Sequence, residues 1–208
     1  MSDNAILIFA KAPLPGAVKT RLIPRLGSEG AAQLYTGLLK REVGWIAEQT
    51  PYEIELWTTP ALDHPVFLEL ADRYRLKRFS QSGADLGMRM ERAAREALAR
   101  HARVVLVGVD CPALGASHLQ QAFHWLEQDV DAVLGPAVDG GYVLLGLKRC
   151  HPRLFRGHAW GESTVAATTR EALREIGWRW RELPQLWDLD RPEDLTQFLQ
   201  LGIELPTD

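Results

Sequence analysis

The feature that most constrains this chain is a repeated alternation between short apolar runs and longer amphipathic segments. The runs are rich in Val, Ile and Leu, are bounded by turn residues and are too short for helices, which is typical of buried strands. The predicted strands are Ala5–Ala10, Glu53–Thr59, Val104–Val109, Ala132–Leu134 and Tyr142–Leu147.

Helices are predicted between and after these strands. Apolar residues recur at steps of three and four, the period of a helix face, in two sets: Leu34, Leu38, Leu39, Val43 and Ile46, and Leu86, Met90, Ala93, Ala94, Ala97 and Leu98. A third helix is predicted over Thr164–Ile176, stopping at Gly177. A fourth is predicted after Asp190, where Asp190 and Glu193 would form a capping box and Gly202 would close the helix.

Strand followed by helix, repeated along a chain, predicts βαβ units with right-handed crossovers and a mainly parallel sheet. No linker, low-complexity tract or internal repeat interrupts the 208 residues, so residues 1–208 are predicted to form one domain. Sheets of this kind bind ligands at the carboxyl ends of their strands. The residues that follow each strand are therefore the candidates for function.

Composition excludes several classes of partner. The 24 Lys and Arg residues against 27 Asp and Glu residues give a formal charge of -3, so no basic field points to nucleic acid. Cys111 and Cys150 are the two cysteines and form no CxxC pair, which favours a reducing cytoplasm. The first apolar run is too short for a signal peptide or a membrane span.

The loop after the first strand is rich in positive charge. It contains two prolines and a glycine, which predict a tight non-helical turn, and no acid lies between Asp3 and Glu29. Its cations suit the oxygens of a polyphosphate, although a solvated basic loop is the alternative. Pro13 and Val18 stand where a P-loop requires glycine, and no dinucleotide fingerprint occurs. The four cations of the loop are Lys11, Lys19, Arg21 and Arg25.

A predicted strand end also presents Asp110, and Pro112 prevents the strand from continuing. A carboxylate facing a phosphate site would repel the ligand unless a divalent cation lay between them, which makes Asp110 a candidate metal ligand. A turn or helix-capping role is the alternative. Asp188 and Asp190 are further candidates, although capping alone would explain Asp190.

The remaining features are less informative. The glycine pair after Asp139, Gly140 and Gly141, either lets the backbone approach a ligand closely or forms an ordinary turn between two strands. The histidines are scattered without zinc-site spacing, and Cys111 is interpreted as packing rather than as a nucleophile. Trp160 either fills the core or contacts a ligand.

Six segments together resemble a bacterial family of small glycosyltransferases, once labelled a domain of unknown function, some members of which are named arsenosugar biosynthesis glycosyltransferases. The segments are KAPLPGAVKTRL, QSGADLGMRM, VGVDCPAL, GPAVDGGYVLLGL, WGESTV and DLDRPEDL, and the resemblance runs from Ile6 to about Leu199. It implies the nucleotide-diphospho-sugar transferase fold, called GT-A, which is a three-layer α/β/α sandwich. The implied activity is Mg²⁺- or Mn²⁺-dependent transfer of a sugar from a nucleotide-sugar to a small acceptor. The alternative, also found in this superfamily, is a nucleotidyltransferase joining an NTP to a phosphorylated small molecule.

The resemblance also assigns roles to residues. Lys11, Gly16, Lys19 and Arg21 would hold phosphates, and Asp110 would hold the metal with Asp188 or Asp190. Asp139 with Gly140, Gly141 and Tyr142 would face the sugar or acceptor. For the implied transfer reaction, Asp139 is our first candidate for the general base on the acceptor hydroxyl. Two segments depart from the family pattern. Asp110 is not part of an Asp-x-Asp pair, and WGEST replaces a more compact tryptophan-serine-threonine sequence.

Overall fold

The computed structural model describes residues 3–200. The strands are β1 (Asn4–Lys11), β2 (Glu53–Thr59), β3 (Lys77–Ser80), β4 (Arg103–Val107), β5 (Ala132–Pro136), β6 (Tyr142–Leu147) and β7 (Trp180–Glu182). The helices are α1 (Ile23–Gln49), α2 (Pro65–Tyr74), α3 (Leu86–Leu98), α4 (Ala116–Glu127), α5 (Val165–Glu175) and α6 (Pro192–Gln200). No helix within residues 3–200 is long and apolar enough to cross a membrane.

The strands form one seven-stranded sheet in the order β3-β2-β1-β4-β6-β5-β7. All neighbouring pairs are parallel except those of β6, which runs antiparallel to β4 and β5. The prediction of a mainly parallel sheet is confirmed. β6 is reversed because a short turn joins it to β5, and a parallel neighbour would need a long crossover connection.

Helices cover both faces of the sheet. Along β1, Ile6 and Ile8 pack on the face that carries α1, α2 and α4, whereas Ala5 and Leu7 pack on the face that carries α3 and α5. This alternation follows from the two-residue period of a strand. The three-layer α/β/α sandwich of the nucleotide-diphospho-sugar transferase fold is therefore confirmed.

All five predicted strands are present, and so are the predicted helices. The sequence prediction missed α2 and α4, and also the two outermost strands, β3 and β7, which have only four and three residues. β4 ends at Val107 rather than at Val109, so Asp110 lies in the loop beyond the strand.

The capping box predicted for Asp190 and Glu193 at the start of α6 is wrong, because another acid makes the capping hydrogen bonds. The carboxylate of Asp194 accepts hydrogen bonds from the backbone N–H groups of Asp190, at 3.0 Å, and of Arg191, at 2.6 Å. The carboxylate of Asp190 instead pairs with Arg21, a residue far away in sequence. Because α6 begins at Pro192, Asp194 is the acid in position to reach back. Gly202 lies outside the described residues.

A small apolar cluster attaches the segment before α6 to the first helix. Leu22, Leu38, Leu189 and Phe198 pack together and are almost fully buried. In addition, the backbone N–H of Leu189 donates to the carbonyl of Asp110 at 2.7 Å. Residues 188–190 are therefore held beside both the first loop and the loop after β4.

Candidate functional site

A cavity of about 490 Å³ opens at the carboxyl edge of β1 and β4. The start of β6 lies at the same edge because β6 is antiparallel to β4. Most of the residues predicted from sequence line this cavity, namely Lys11, Lys19, Arg21, Asp110, Asp139, Gly141, Tyr142, Asp188 and Asp190. Gly16 and Gly140 do not line it.

The first loop has the tight turn that its prolines predict. The backbone N–H of Ala17 donates to the carbonyl of Leu14 at 3.0 Å, with Pro15 and Gly16 between them. Gly16 has a φ of +82°, which corresponds to a type II turn and requires glycine. Gly16 therefore contributes by fixing the shape of the loop.

Lys19 is buried and points inward. Its side chain is only 3% exposed, and its Nζ lies 2.6 Å from Asp110 Oδ1. The same Nζ donates a hydrogen bond to the carbonyl of Leu189. Lys19 thus joins three segments of the cavity wall: the first loop, the loop after β4 and the segment before α6.

The other two cations of the cavity differ from Lys19 in exposure. Arg21 is half exposed and forms an ion pair with Asp190, which raises the pKa of the Arg21 guanidinium. Lys11 is exposed, and its backbone N–H donates to the hydroxyl of Tyr35 at 2.9 Å. Among the described residues the structure shows no ion pair for Lys11. Its ammonium group is available to an anionic ligand.

Four aspartates converge on the cavity. Burial, followed by the charges of Asp139, Asp190 and Asp110, raises the pKa of Asp188 to about 6. Such repulsion is expected where carboxylates are gathered at one site. A cation placed among them would relieve it.

The residues present fit a magnesium or manganese ion that binds together with a phosphate ligand. In residues 3–200 no three His, Cys, Asp or Glu side chains are grouped as a complete metal site. Mg²⁺, however, is usually held by one or two carboxylates together with substrate phosphates and water. The donors are carboxylate oxygens, which suit these cations, and Asp110 Oδ1 is buried without a hydrogen bond of regular geometry within the described chain.

The turn between β5 and β6 has a structural explanation. Asp139 Oδ1 accepts a hydrogen bond from the backbone N–H of Gly141 at 2.8 Å. Gly140 has a φ of +91°, and a Cβ there would lie 2.0 Å from the carbonyl oxygen of Ser163. Gly140 is therefore required for close backbone packing against the segment before α5, while Asp139 is fixed at the rim of the cavity.

An apolar wall closes the side of the cavity nearest α3. Tyr142 and Trp160 meet edge to face with ring centroids 6.3 Å apart, and both line the cavity with Met90. Gly87 lets Trp160 lie against α3, because a Cβ there would lie 2.1 Å from the carbonyl oxygen of Phe155 and 2.6 Å from the indole nitrogen of Trp160. Of the two interpretations of Trp160 in the sequence, contact with a ligand is thus geometrically available.

Other lining residues were not identified as functional from the sequence, among them three polar ones. Tyr35 lies on the buried face of α1, and Glu162 lies in the loop before α5. Gln81 donates through Nε2 to the carbonyls of Ala10, at 3.2 Å, and Trp57, at 2.9 Å, which ties together β1 and β2. Gln81 and Glu162 lie in the segments QSGADLGMRM and WGESTV that carry the resemblance, which was the available signal, whereas the position of Tyr35 depends on the packing of α1. Cys111 also lines the cavity, but burial raises the pKa of its thiol to about 12, in agreement with a packing role.

The fold and the cavity place this chain in the class of nucleotide-diphospho-sugar transferase-like proteins. A crystal structure described as a "putative nucleotide-diphospho-sugar transferase" from Desulfovibrio desulfuricans G20 is similar, with 33% identity and a TM-score of 0.88 over 97% of this chain and 88% of that one. The family model for an uncharacterized protein conserved in bacteria, DUF2064, matches residues 43–162. The chain belongs to this family.

More distant structures share the fold. A nucleotidyl transferase from Methanothermobacter thermautotroptrophicus has 14% identity and a TM-score of 0.61 over 95% of this chain and 96% of that one. Glucosyl-3-phosphoglycerate synthase from Mycobacterium tuberculosis, solved with Mn²⁺, UDP and glucosyl-3-phosphoglycerate, has 9% identity and a TM-score of 0.54, over 93% of this chain and 74% of that one. No curated protein matches the sequence significantly.

Proposed function

We propose that this protein transfers a glycosyl group from a nucleoside-diphosphate sugar to a small acceptor, with the help of Mg²⁺ or Mn²⁺. The observation that carries the proposal is the charge of the cavity. Its cations are Lys11, Lys19 and Arg21, and its carboxylates are Asp110, Asp139, Glu162, Asp188 and Asp190. Because the carboxylates outnumber the cations, the cavity can hold a diphosphate only if a divalent cation accompanies it.

The same charge count disfavours the alternative reaction. A nucleotidyltransferase that joins an NTP to a phosphorylated partner must hold a triphosphate and a further phosphate in one site. Lys11, Lys19 and Arg21 are the cations among the described lining residues, which is few for so many anionic oxygens. A nucleotide-sugar and an uncharged acceptor hydroxyl require less positive charge.

The proposal assigns roles to several of the lining residues. Asp110, with Asp188 or Asp190, would hold the cation, which when bound neutralises the charge that develops on the departing diphosphate. Lys11 and Arg21 would donate charge-assisted hydrogen bonds to phosphate oxygens. Asp139, fixed by Gly141, would accept the proton of the acceptor hydroxyl, while Gly141 and Tyr142 would line the sugar or acceptor subsite.

Binding of a nucleotide panel tests the proposed ligand class. We expect UDP- or GDP-sugars with Mn²⁺ to raise the melting temperature, since a ligand at about 100 times its dissociation constant stabilises by about 2.7 kcal/mol. The bare nucleoside, or the nucleotide-sugar with EDTA, should stabilise far less. Stronger stabilisation by an NTP than by every nucleotide-sugar would contradict the proposal.

A cytoplasmic location and the lack of a nucleic-acid partner stay predictions from sequence.

A further inference from the structure

Lys19 and a divalent cation would compete for the same oxygen. Lys19 Nζ lies 2.6 Å from Asp110 Oδ1, and a Mg²⁺ ion bound there would lie about 2.0 to 2.1 Å from that oxygen. Two cations at one carboxylate oxygen repel each other. The Lys19 side chain is 3% exposed and Asp110 Oδ1 is buried, whereas the Asp110 side chain as a whole is 46% exposed and open to the cavity.

The contacts of Lys19 keep its ammonium group at this position. Nζ donates to the carbonyl of Leu189, and the N–H of Leu189 donates to the carbonyl of Asp110 at 2.7 Å. The carboxylate and the carbonyl that Lys19 contacts are therefore held side by side by the backbone. In the protein without ligands, Asp110 already has a cationic partner that belongs to the chain itself.

A diphosphate would give Lys19 a second anionic partner. Lys19 lies in the basic loop that also carries Lys11 and Arg21, and all three side chains line the same cavity. The lysine side chain is a flexible four-carbon stem with a compact charge, so Nζ can exchange a carboxylate for a phosphate oxygen without a change of the backbone.

We propose that Lys19 is a positioning residue that occupies Asp110 until the nucleotide binds, so that the divalent cation enters the site with the diphosphate and not before it. This inference rests on the proposed function for the use of a metal at Asp110. The cation then binds together with the nucleotide and not before it. The cation and the nucleotide are then positively coupled, and each raises the affinity of the other by the same factor.

Mn²⁺ binding without nucleotide tests the proposal. We compare the wild-type protein with Lys19→Met, with Lys19→Gln, which keeps an amide donor for the carbonyl of Leu189, and with Lys11→Met. Lys11→Met is the matched control because it removes one positive charge from the same cavity but leaves Asp110 paired. Free Mn²⁺ is measured by electron paramagnetic resonance, and folding is checked by circular dichroism.

We expect the Lys19 variants to bind Mn²⁺ at least about tenfold more tightly than the wild type, because a like charge next to the metal is removed. Lys11→Met should change the affinity less than about threefold, since Lys11 has no contact with Asp110 to release. Adding Asp110→Asn to Lys19→Gln should abolish the gain. Addition of UDP or GDP should tighten Mn²⁺ binding to the wild type but much less to the Lys19 variants.

Unchanged Mn²⁺ affinity in a folded Lys19 variant would overturn the inference, and so would an equal gain in Lys11→Met. Absence of Mn²⁺ binding to every protein, with and without nucleotide, would overturn it as well. If Lys19→Met does not fold, Lys19→Gln and the nucleotide effect on the wild type decide the result. The proposed function is tested separately, because sugar transfer without any effect of Mn²⁺ would contradict the role of Lys19 and leave the transfer reaction standing.

Discussion

Arg21 and its neighbour Arg25 are both exposed cations near the first loop, but only Arg21 lines the cavity. We expect Arg21→Ala to weaken the binding of UDP or GDP about tenfold, because a charge-assisted hydrogen bond to a phosphate oxygen is lost. Binding of the bare nucleoside should hardly change, and Arg25→Ala should bind both ligands as the wild type does. Calorimetric titration measures both affinities. Equal weakening of nucleoside and nucleotide by Arg21→Ala would show that Arg21 only shapes the pocket.

Glu42 is a buried acid on α1 that hydrogen-bonds to Trp45 and pairs with Arg41, and burial raises its pKa to about 8. In the unfolded chain its pKa would lie near 4.5, so the folded state holds the proton more tightly. The stability that Glu42 contributes is therefore complete below about pH 4.5 and is lost as the pH rises through about 8. Glu42→Gln, which stays neutral, should gain stability relative to the wild type as the pH rises over this range.

Urea unfolding at pH 5, 6.5 and 8 measures this difference, and Glu29→Gln, an exposed acid on the same helix, is the control. The control should follow the wild type at each pH. Parallel pH profiles for the wild type and Glu42→Gln would contradict the raised pKa of Glu42.

Two acids at the beginning of α6, Asp190 and Asp194, look equivalent in sequence but have different partners in the structure. Asp194 accepts hydrogen bonds from two backbone N–H groups, whereas Asp190 pairs with Arg21 in a partly exposed ion pair. Asp194→Ala should cost about 1 kcal/mol of stability through the lost cap. Asp190→Ala should cost only a few tenths, because exposed ion pairs contribute little. Urea unfolding compares them, and a greater loss for Asp190→Ala would show that the ion pair dominates.

Local signals predicted most of the elements and the residues at their ends. The apolar runs marked the five longest strands, and Pro15 with Gly16 marked the type II turn of the first loop. β3 and β7 were missed because strands of four and three residues carry too few side chains to show a period. The choice between Asp190 and Asp194 depends on Arg21, which lies far away in sequence, so no local pattern contains it.

In the folded molecule, residues far apart in sequence make contacts between the early and the late segments of the described chain. β1 lies near the centre of the sheet, β7 pairs with β5, and Phe198 of α6 packs against Leu38 of α1. One domain over residues 1–208 stays a prediction from sequence, and a single domain should unfold in a single transition. Tryptophan fluorescence and far-ultraviolet circular dichroism should then give the same midpoint in urea. Two separate midpoints would show that parts of the chain unfold independently.

The carboxylates of the site could be named from sequence, but their arrangement could not. Asp110 follows a predicted strand, Asp139 precedes one, and Asp188 and Asp190 precede a predicted helix, which made each of them a candidate. The pairing of Asp110 with Lys19, and the position of Tyr35 and Gln81 in the cavity wall, depend on the order of strands and on the packing of α1. Those are properties of the folded molecule as a whole.

The identity of the reaction product distinguishes glycosyl transfer from nucleotidyl transfer. The wild-type protein is incubated with Mn²⁺ and a panel of UDP- and GDP-sugars, and in parallel with NTPs and phosphorylated small molecules, and phosphorus NMR identifies what is released. We expect a nucleoside diphosphate from at least one nucleotide-sugar, slowly by hydrolysis where no acceptor is supplied, and its release should be lost in Asp110→Asn. Pyrophosphate released from an NTP in an Asp110-dependent reaction would instead identify nucleotidyl transfer and contradict the proposed chemistry.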